Sequence, residues 1–197
     1  NGYVVNGPPQ AALPANPMQR DGLMSGVKVG VHLNAQVTFG ERTYEGMEVV
    51  TSEHTIHQVF CAAMNIGQGK SGAQNASMPG AKEKAAMLLR AAYRGTYLAA
   101  ISNGCRLLYL TMIGGGVFGN DFATIFSEIH SAHVELARDP MNKTLDTVRL
   151  ILYSPPPGRE EFIAKLEHDG IPFRSIMYRN SKPIIEKDNT STFATRH

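Results

Sequence analysis

The 197-residue sequence contains no tryptophan, only two cysteines and little excess of charge of either sign. A formal net charge of +2, with no run of five or six lysines or arginines, gives no basis for a nucleic-acid interface. No apolar stretch approaches the roughly 20 residues of a membrane span, and the first residues resemble neither a signal peptide nor an initiator. We therefore expect a soluble, cytoplasmic protein that binds neither nucleic acid nor a membrane, and a sequence that begins inside a longer protein.

The composition is that of an ordinary folded domain. Hydrophobic residues make up 43% of the chain and charged residues 18%, which fits one monomeric domain over residues 1–197 with a substantial core. Cys61 and Cys105 both lie in apolar segments. This placement favours buried thiols in a reducing compartment, with a disulfide as the alternative.

Hydrophobic periodicity predicts strands alternating with helices from residue 54 onward. Helices are predicted at 81–102, 122–137 and 159–170, the last with Gly170 as its C-cap glycine. Strands are predicted at 3–6, 27–33, 35–40, 54–66 (buried), 106–113, 145–154 and 171–179. Proline-rich 7–17 and glycine-rich 67–80 read as loops. The pattern predicts an α/β layered domain with a largely parallel sheet.

The stretch "LLYLTMIGGGVFGN", residues 107–120, combines a buried strand with four glycines. Ligands of parallel sheets gather where strands end and loops lead into helix N-termini. Glycines allow backbone N–H groups to approach a ligand closely, and the dipole of the following helix favours an anion. The segment therefore predicts a diphosphate cradle, with a tight strand-to-helix connection that binds nothing as the alternative.

Two other candidate ligand sites have weaker support in the sequence. "NIGQGKSG", residues 65–72, imitates the end of a nucleotide-binding P-loop, but Met64 stands where that template requires glycine, and Pro79 with Gly80 interrupts the helix that should follow. Histidine pairs spaced by three residues occur at 54–57 and 130–133. The first pair would face opposite sides of a strand, and the second lacks an acidic or cysteine partner nearby in the sequence. We expect satisfied or exposed histidines, no metal and no cofactor.

The glycine stretch resembles the second phosphate loop of macro domains, the ADP-ribose-binding family. "YVVNG", "TIHQVF" and "VRLILYS" followed by "REEFIAKLEH" resemble further family segments in the right order, over about residues 3–168. "HQVFCAA", "AAYRGTYLAA" and "LTMIGGGVFGN" are most similar to a divergent branch that includes a Legionella effector acting as an ADP-ribosyl hydrolase. The resemblance implies a three-layer α/β/α fold with a mixed, largely parallel sheet and helices on both faces. For a secreted effector it would imply the host cytosol.

The resemblance also implies which residues meet the ligand. Residues 114–119 would wrap the diphosphate and distal ribose, with Phe118 lining that ribose. Asn6 would face the same ribose, Tyr153 would stack on adenine, and "RDGLMSGVK", residues 20–28, would form the other phosphate loop. The implied ligand-binding residues are Asn6, Gly22, Gly26, Val27, Gly114, Gly115, Gly116, Val117, Phe118, Gly119, Asn120 and Tyr153. The family's triple glycine is absent from residues 20–28, and its adenine-reading aspartate would precede Asn1.

The function implied by the resemblance is release of ADP-ribose from modified proteins by a mono-ADP-ribosyl hydrolase. Water would attack the anomeric carbon, which requires a rigidly held diphosphate and a carboxylate that orients or deprotonates the water. Asp21 and Asp121 are the candidates. Asp121 could instead stabilise the first turn of its helix, and Asp21 could simply begin a turn. A non-catalytic ADP-ribose reader and an interaction domain without ligand remain alternatives.

Overall fold

Helices and strands alternate over residues 81–168 in a computed structural model that describes residues 12–43, 46–137, 139–152, 155–171, 177–179, 182–184 and 192–194. The helices are α1 (Pro17–Ser25), α2 (Gly69–Ala76), α3 (Ala81–Ser102), α4 (Phe122–Ala137) and α5 (Arg159–His168). The strands are β1 (Gly30–Thr43), β2 (Gly46–Phe60), β3 (Leu107–Thr111), β4 (Thr147–Ile151), β5 (Met177–Arg179), β6 (Lys182–Ile184) and β7 (Thr192–Ala194). The described part of the chain is thus mixed α/β, as the sequence predicts.

The two long helices have the bounds that the sequence predicts. α3 is rich in alanine, leucine and other good helix formers, and α4 carries apolar residues at helical spacing. Each helix buries one face, so that Leu89, Tyr93 and Tyr97 of α3 share a core with Ile125 and Ile129 of α4. Burial of a large apolar side chain stabilises the folded protein by roughly 1.5–3 kcal/mol.

The central sheet is small and has two unlike faces. β3 runs parallel to β4, and β7 pairs with β4 in the antiparallel direction. Leu108 and Leu110 of β3 lie in the helix-covered core, whereas Leu107 and Tyr109 on the opposite face are 39% and 52% exposed. Among the described strands the sheet therefore has one parallel pair, which is less than the largely parallel sheet that the sequence predicts.

Residues 29–61 form a compact unit of their own, separate from residues 1–28 and 62–197. β1 and β2 pair in the antiparallel direction to make a long hairpin, with Asn34 at φ 54 near a bulge. The predicted strands 27–33 and 35–40 merge into β1. The strand predicted at 54–66 is present as far as Phe60, but its prediction as buried is wrong. Phe60 is 59% exposed, and the burial predicted for this segment begins only after the strand, at Ala63 and Met64. A single domain over the whole chain stays a prediction.

Residues 67–80, predicted as a loop, contain α2. Its sequence "GKSGAQNA" has little helix propensity, but Gly72 and Asn75 are buried and Asn75 donates a hydrogen bond to the Asn65 carbonyl at 2.8 Å. Tertiary contact therefore overrides a weak local preference. Within the described ranges, no helix has both the length and the apolar content that crossing a bilayer requires.

α5 ends as its sequence predicts. Gly170 has a φ of 65°, and the amide of Ile171 donates to the Leu166 carbonyl at 2.8 Å, a left-handed C-terminal motif. Just before it, Asp169 accepts a hydrogen bond from buried His130 of α4 at 2.7 Å. The pairing satisfies the histidine, as expected, with an acidic partner that lies too far along the chain for the sequence to indicate it.

Stability should fall as the pH drops below about 6.5, the ordinary pKa of histidine. Burial lowers the pKa of His130 in the folded protein, Lys165 and Arg90 add to that effect, and Asp169 opposes it. The unfolded chain therefore binds the proton more readily, and protonation favours unfolding. Urea denaturation at pH 7.5 and pH 5.5 should show this loss for the wild type and a smaller loss for His130→Gln. Exposed His168 contacts the same carboxylate, so His168→Gln is the control; an equal loss in all three proteins would contradict the assignment.

Candidate functional site

The glycine loop, residues 112–120, begins at a hydrogen-bonded junction with α3. Tyr93 is fully buried, and its hydroxyl donates to the Thr111 carbonyl at 2.9 Å and accepts from the Ile113 amide at 3.0 Å. The chain then turns through Gly114 at φ 77° and Gly119 at φ 67°, a conformation that side-chain-bearing residues rarely adopt. Two of the four glycines are therefore required by the backbone geometry itself.

Asn120 closes the glycine loop. Its backbone amide donates to the Gly114 carbonyl at 3.1 Å, and its side-chain amide donates to the same carbonyl at 3.2 Å and to the Met64 carbonyl at 3.0 Å. The residue is only 4% exposed. Asn120, predicted to contact the ligand, therefore lies inside the protein and fixes the shape of the loop.

A second glycine-rich segment, residues 65–72, lies directly against the glycine loop. The amides of Ile66 and Gln68 donate to the Phe118 and Val117 carbonyls at 2.9 and 3.3 Å. A Cβ atom added to Gly67 would lie 2.5 Å from the Val117 carbonyl oxygen and 2.7 Å from the Gly119 nitrogen. The two backbones touch because neither segment carries a side chain at the contact.

α2 begins immediately after this contact, at Gly69, which corrects the expectation that no helix follows "NIGQGKSG". Its N-cap residue, Gln68, makes no side-chain capping hydrogen bond. The first N–H groups of α2 therefore keep their partial positive charge, next to the exposed side chains of Lys70 and Ser71. Sequence reasoning discarded this segment on the position of Met64, which is buried in a core cluster.

The N-terminus of α4 is arranged differently. Asp121 accepts hydrogen bonds from the Thr124 amide and the Thr124 hydroxyl, each at 2.8 Å, so its carboxylate caps the helix. The hydrogen bond from the Thr124 amide, with that from its hydroxyl, lowers the pKa of Asp121. A negative charge of the protein already occupies this helix end. The sequence predicts an anion at the N-terminus of α4, but the helix N-terminus without a side-chain cap beside the loop is that of α2.

The exposed tip of the glycine loop offers free donors. An added Cβ on Gly116 would meet nothing within 4 Å, and Val117 is 70% exposed. Among the described residues, no acceptor takes the backbone N–H of Gly116 or Val117. Beside the open end of α2, these groups make a surface suited to an anion with several oxygens.

Comparisons of the chain with models of protein families, with curated proteins and with solved structures found no match. The interpretation of the site therefore depends on its geometry and on the sequence pattern. Of the other residues predicted to contact a ligand, Asn6 and Tyr153 lie outside the described residues.

Residues 20–28 do not form the predicted phosphate loop. The Asn16 side chain caps a helix there by accepting a hydrogen bond from the Met18 amide at 2.9 Å. Pro17 occupies the first turn, where proline is favoured, and α1 extends from there to Ser25. Gly22 therefore lies within the helix, Gly26 caps its C-terminus, and Val27 follows it. The sequence did not predict this helix, because the prolines of residues 7–17 and the two glycines, Gly22 and Gly26, are typical of loops.

Asp21 of α1 lines a cavity of about 330 Å³ against α3 and α4. Two further carboxylates, Glu83 and Glu128, line the same cavity, and no glycine-loop residue does. Arg90 pairs with Glu128 at 3.1 Å, whereas neither Asp21 nor Glu83 has an ion-pair partner among the described residues. Burial raises the pKa of Glu128 despite that arginine.

The first turn of α3 carries one residue at the cavity and one whose charge acts on Asp121. Glu83 lines the cavity, and the charge of its neighbour Lys82 contributes to the lowered pKa of Asp121. The structure thus joins residues 65–72 and 112–120 in one site. It places Asp21 at a cavity that no glycine-loop residue lines.

Alanine substitutions should separate the packed glycines from the exposed one. Gly119→Ala puts a Cβ against the Gly67 backbone at a positive φ, which should lower the free energy of unfolding by about 2–5 kcal/mol. Gly116→Ala enters open space and should change it by no more than about 0.5 kcal/mol. Urea denaturation measures both. Equal stabilities of the two variants would contradict the contact between the glycine segments.

Proposed function

We propose that the protein binds ADP-ribose, with the diphosphate held by the backbone amides of Gly116 and Val117 and by the uncapped N-terminus of α2. The observation that carries this proposal is the direct backbone contact between two glycine-rich segments, which brings free N–H groups next to an open helix terminus. Two linked phosphates need several converging hydrogen-bond donors, and a glycine-rich surface lets the phosphates approach the backbone closely. The exposed ammonium of Lys70 would add an opposite charge.

The remaining contacts in this proposal come from the resemblance to macro domains. Phe118 would line the distal ribose, and Tyr153 and Asn6 would meet adenine and ribose. The three-layer macro-like arrangement is part of the same proposal. Among the described strands, β3 has one face covered by helices and one face that is partly exposed, whereas a three-layer fold has helices on both faces of its sheet. What supports the family assignment is the order strand, glycine loop and helix at residues 107–137.

Substitution of Gly116 tests the diphosphate position. Gly116→Glu places a carboxylate where the phosphates are proposed to lie and should lower ADP-ribose affinity at least about 100-fold, with thermal stability nearly unchanged. Gly116→Gln has the same shape without the charge and should lose distinctly less affinity. Isothermal titration calorimetry measures both.

Lys70→Ala should weaken binding about 3- to 10-fold by removing the nearest proposed cation, while Lys143→Ala, at an exposed site elsewhere, serves as its control. If Gly116→Glu and Gly116→Gln bind as the wild type does, the ligand lies elsewhere. Absence of any heat with the wild type would indicate an interaction domain without this ligand.

We further propose that the protein hydrolyses ADP-ribose from modified proteins, with Asp21 as the carboxylate that acts on water. Water would form a bond to the anomeric carbon, the bond from that carbon to the acceptor oxygen or nitrogen would break, and the leaving group would take up a proton. The favouring observation is that Asp21 and Glu83 line one cavity and that neither carboxylate has an ion-pair partner in the part of the chain that the structure describes.

Asp21→Asn tests this activity separately from binding. The loop holds the ligand in both ground and transition states, whereas a water-orienting carboxylate acts mainly as the bond breaks. The variant should keep ADP-ribose affinity within a few-fold and slow release from a mono-ADP-ribosylated protein by on the order of 100-fold or more. Release of labelled ADP-ribose measures the rate.

Asp121→Asn is the control, because asparagine also caps helices well and the carboxylate of Asp121 is already engaged by Thr124. Full activity of Asp21→Asn would place the reacting carboxylate elsewhere. A wild type that binds ADP-ribose but releases none from arginine-, glutamate- or serine-linked substrates would be a reader.

A further inference from the structure

Two buried polar side chains hold the glycine loop at its two ends. Tyr93 is fully buried, and its hydroxyl joins the last carbonyl of β3 to the amide of Ile113. Asn120 is 4% exposed, and its side-chain amide joins the Gly114 carbonyl to the Met64 carbonyl, immediately before the second glycine-rich segment. Tyr93 fixes the end of the loop that follows β3, and Asn120 fixes the end that leads into α4.

We infer that Tyr93 and Asn120 are positioning residues that preorganise the glycine loop for its ligand. Such a loop would be flexible without them, because glycine has the largest backbone freedom of any residue. Ordering a loop upon binding weakens affinity, so a loop that is already ordered binds more tightly with no additional contact. Tyr93 is too deeply buried to touch a bound molecule and could act only through the loop.

The inference rests on the proposed ADP-ribose site, but its first test needs no ligand. Four loop amides carry hydrogen bonds: Ile113 to the Tyr93 hydroxyl and also to the Thr111 carbonyl, Gly115 to Met112, Gly119 to Gly116 and Asn120 to Gly114. Tyr93→Phe keeps the ring and removes both hydroxyl contacts. Exchange of these four amides with solvent deuterium, followed by nuclear magnetic resonance, should become at least about 10-fold faster.

Tyr97→Phe is the matched control. Tyr97 lies one turn further along α3, is equally buried, and directs its hydroxyl to His133 of α4 at 2.9 Å instead of to the loop. A merely structural role for Tyr93 predicts that both variants change the loop amides alike. A positioning role predicts faster loop exchange in Tyr93→Phe alone, together with ADP-ribose binding about 3- to 10-fold weaker than in Tyr97→Phe.

Asn120→Ser tests the other end of the loop, which keeps the inference falsifiable if Tyr93→Phe does not fold. Its control is Asn142→Ser, because Asn142 is 8% exposed and donates its side-chain amide to the Ala137 carbonyl at 3.0 Å, away from the loop. Faster exchange in Asn120→Ser alone supports the inference. Unchanged loop exchange in both Tyr93→Phe and Asn120→Ser overturns it. A wild type that binds no ADP-ribose overturns the proposed function, while loop exchange still decides whether the two residues order the loop.

Discussion

The candidate site depends on a backbone contact between Gly67 and Gly119. A side chain at either position would collide with the other segment, so the glycine loop and residues 65–72 can lie together only if both residues remain glycine. Hydrogen bonds from Ile66 and Gln68 to the loop then set the register of the two segments. The contact also determines where α2 begins, and hence where its open N–H groups lie relative to the tip of the loop.

The two helix N-termini beside the loop are chemically unlike. Asp121 supplies α4 with its own negative charge, and removing that cap would leave N–H groups of the first turn without a partner. α2 has no such side chain. An incoming anion would therefore be attracted by α2 and repelled by Asp121. A diphosphate bound at the loop would extend away from α4 and toward Lys70, so the two helix ends would determine the direction in which the ligand lies.

Local sequence accounts for the long elements and fails where distant contacts decide. α3 and α4 have strong periodicity, and their predicted bounds are confirmed. α2 was missed because its own residues barely favour a helix, and α1 because its glycines resemble a loop. The apolar centre of residues 54–66 predicts a buried strand, yet an apolar run does not reveal whether a helix layer will cover it. The sequence also predicts the glycine loop, but it does not indicate that residues 65–72 pack against that loop.

The same distinction explains why the carboxylates were harder to interpret than the glycines. A glycine at a positive φ or at a backbone contact is constrained by its immediate surroundings, and a glycine-rich pattern exposes that constraint in the sequence. The role of a carboxylate depends on its partners, which can lie nearby in the sequence or on distant elements. Asp121 turns out to be engaged by Thr124, three residues away, whereas Asp21 meets α3 and α4 across a cavity. Asp121 is thus committed to holding its helix, which leaves Asp21 as the candidate whose charge no ion pair among the described residues compensates.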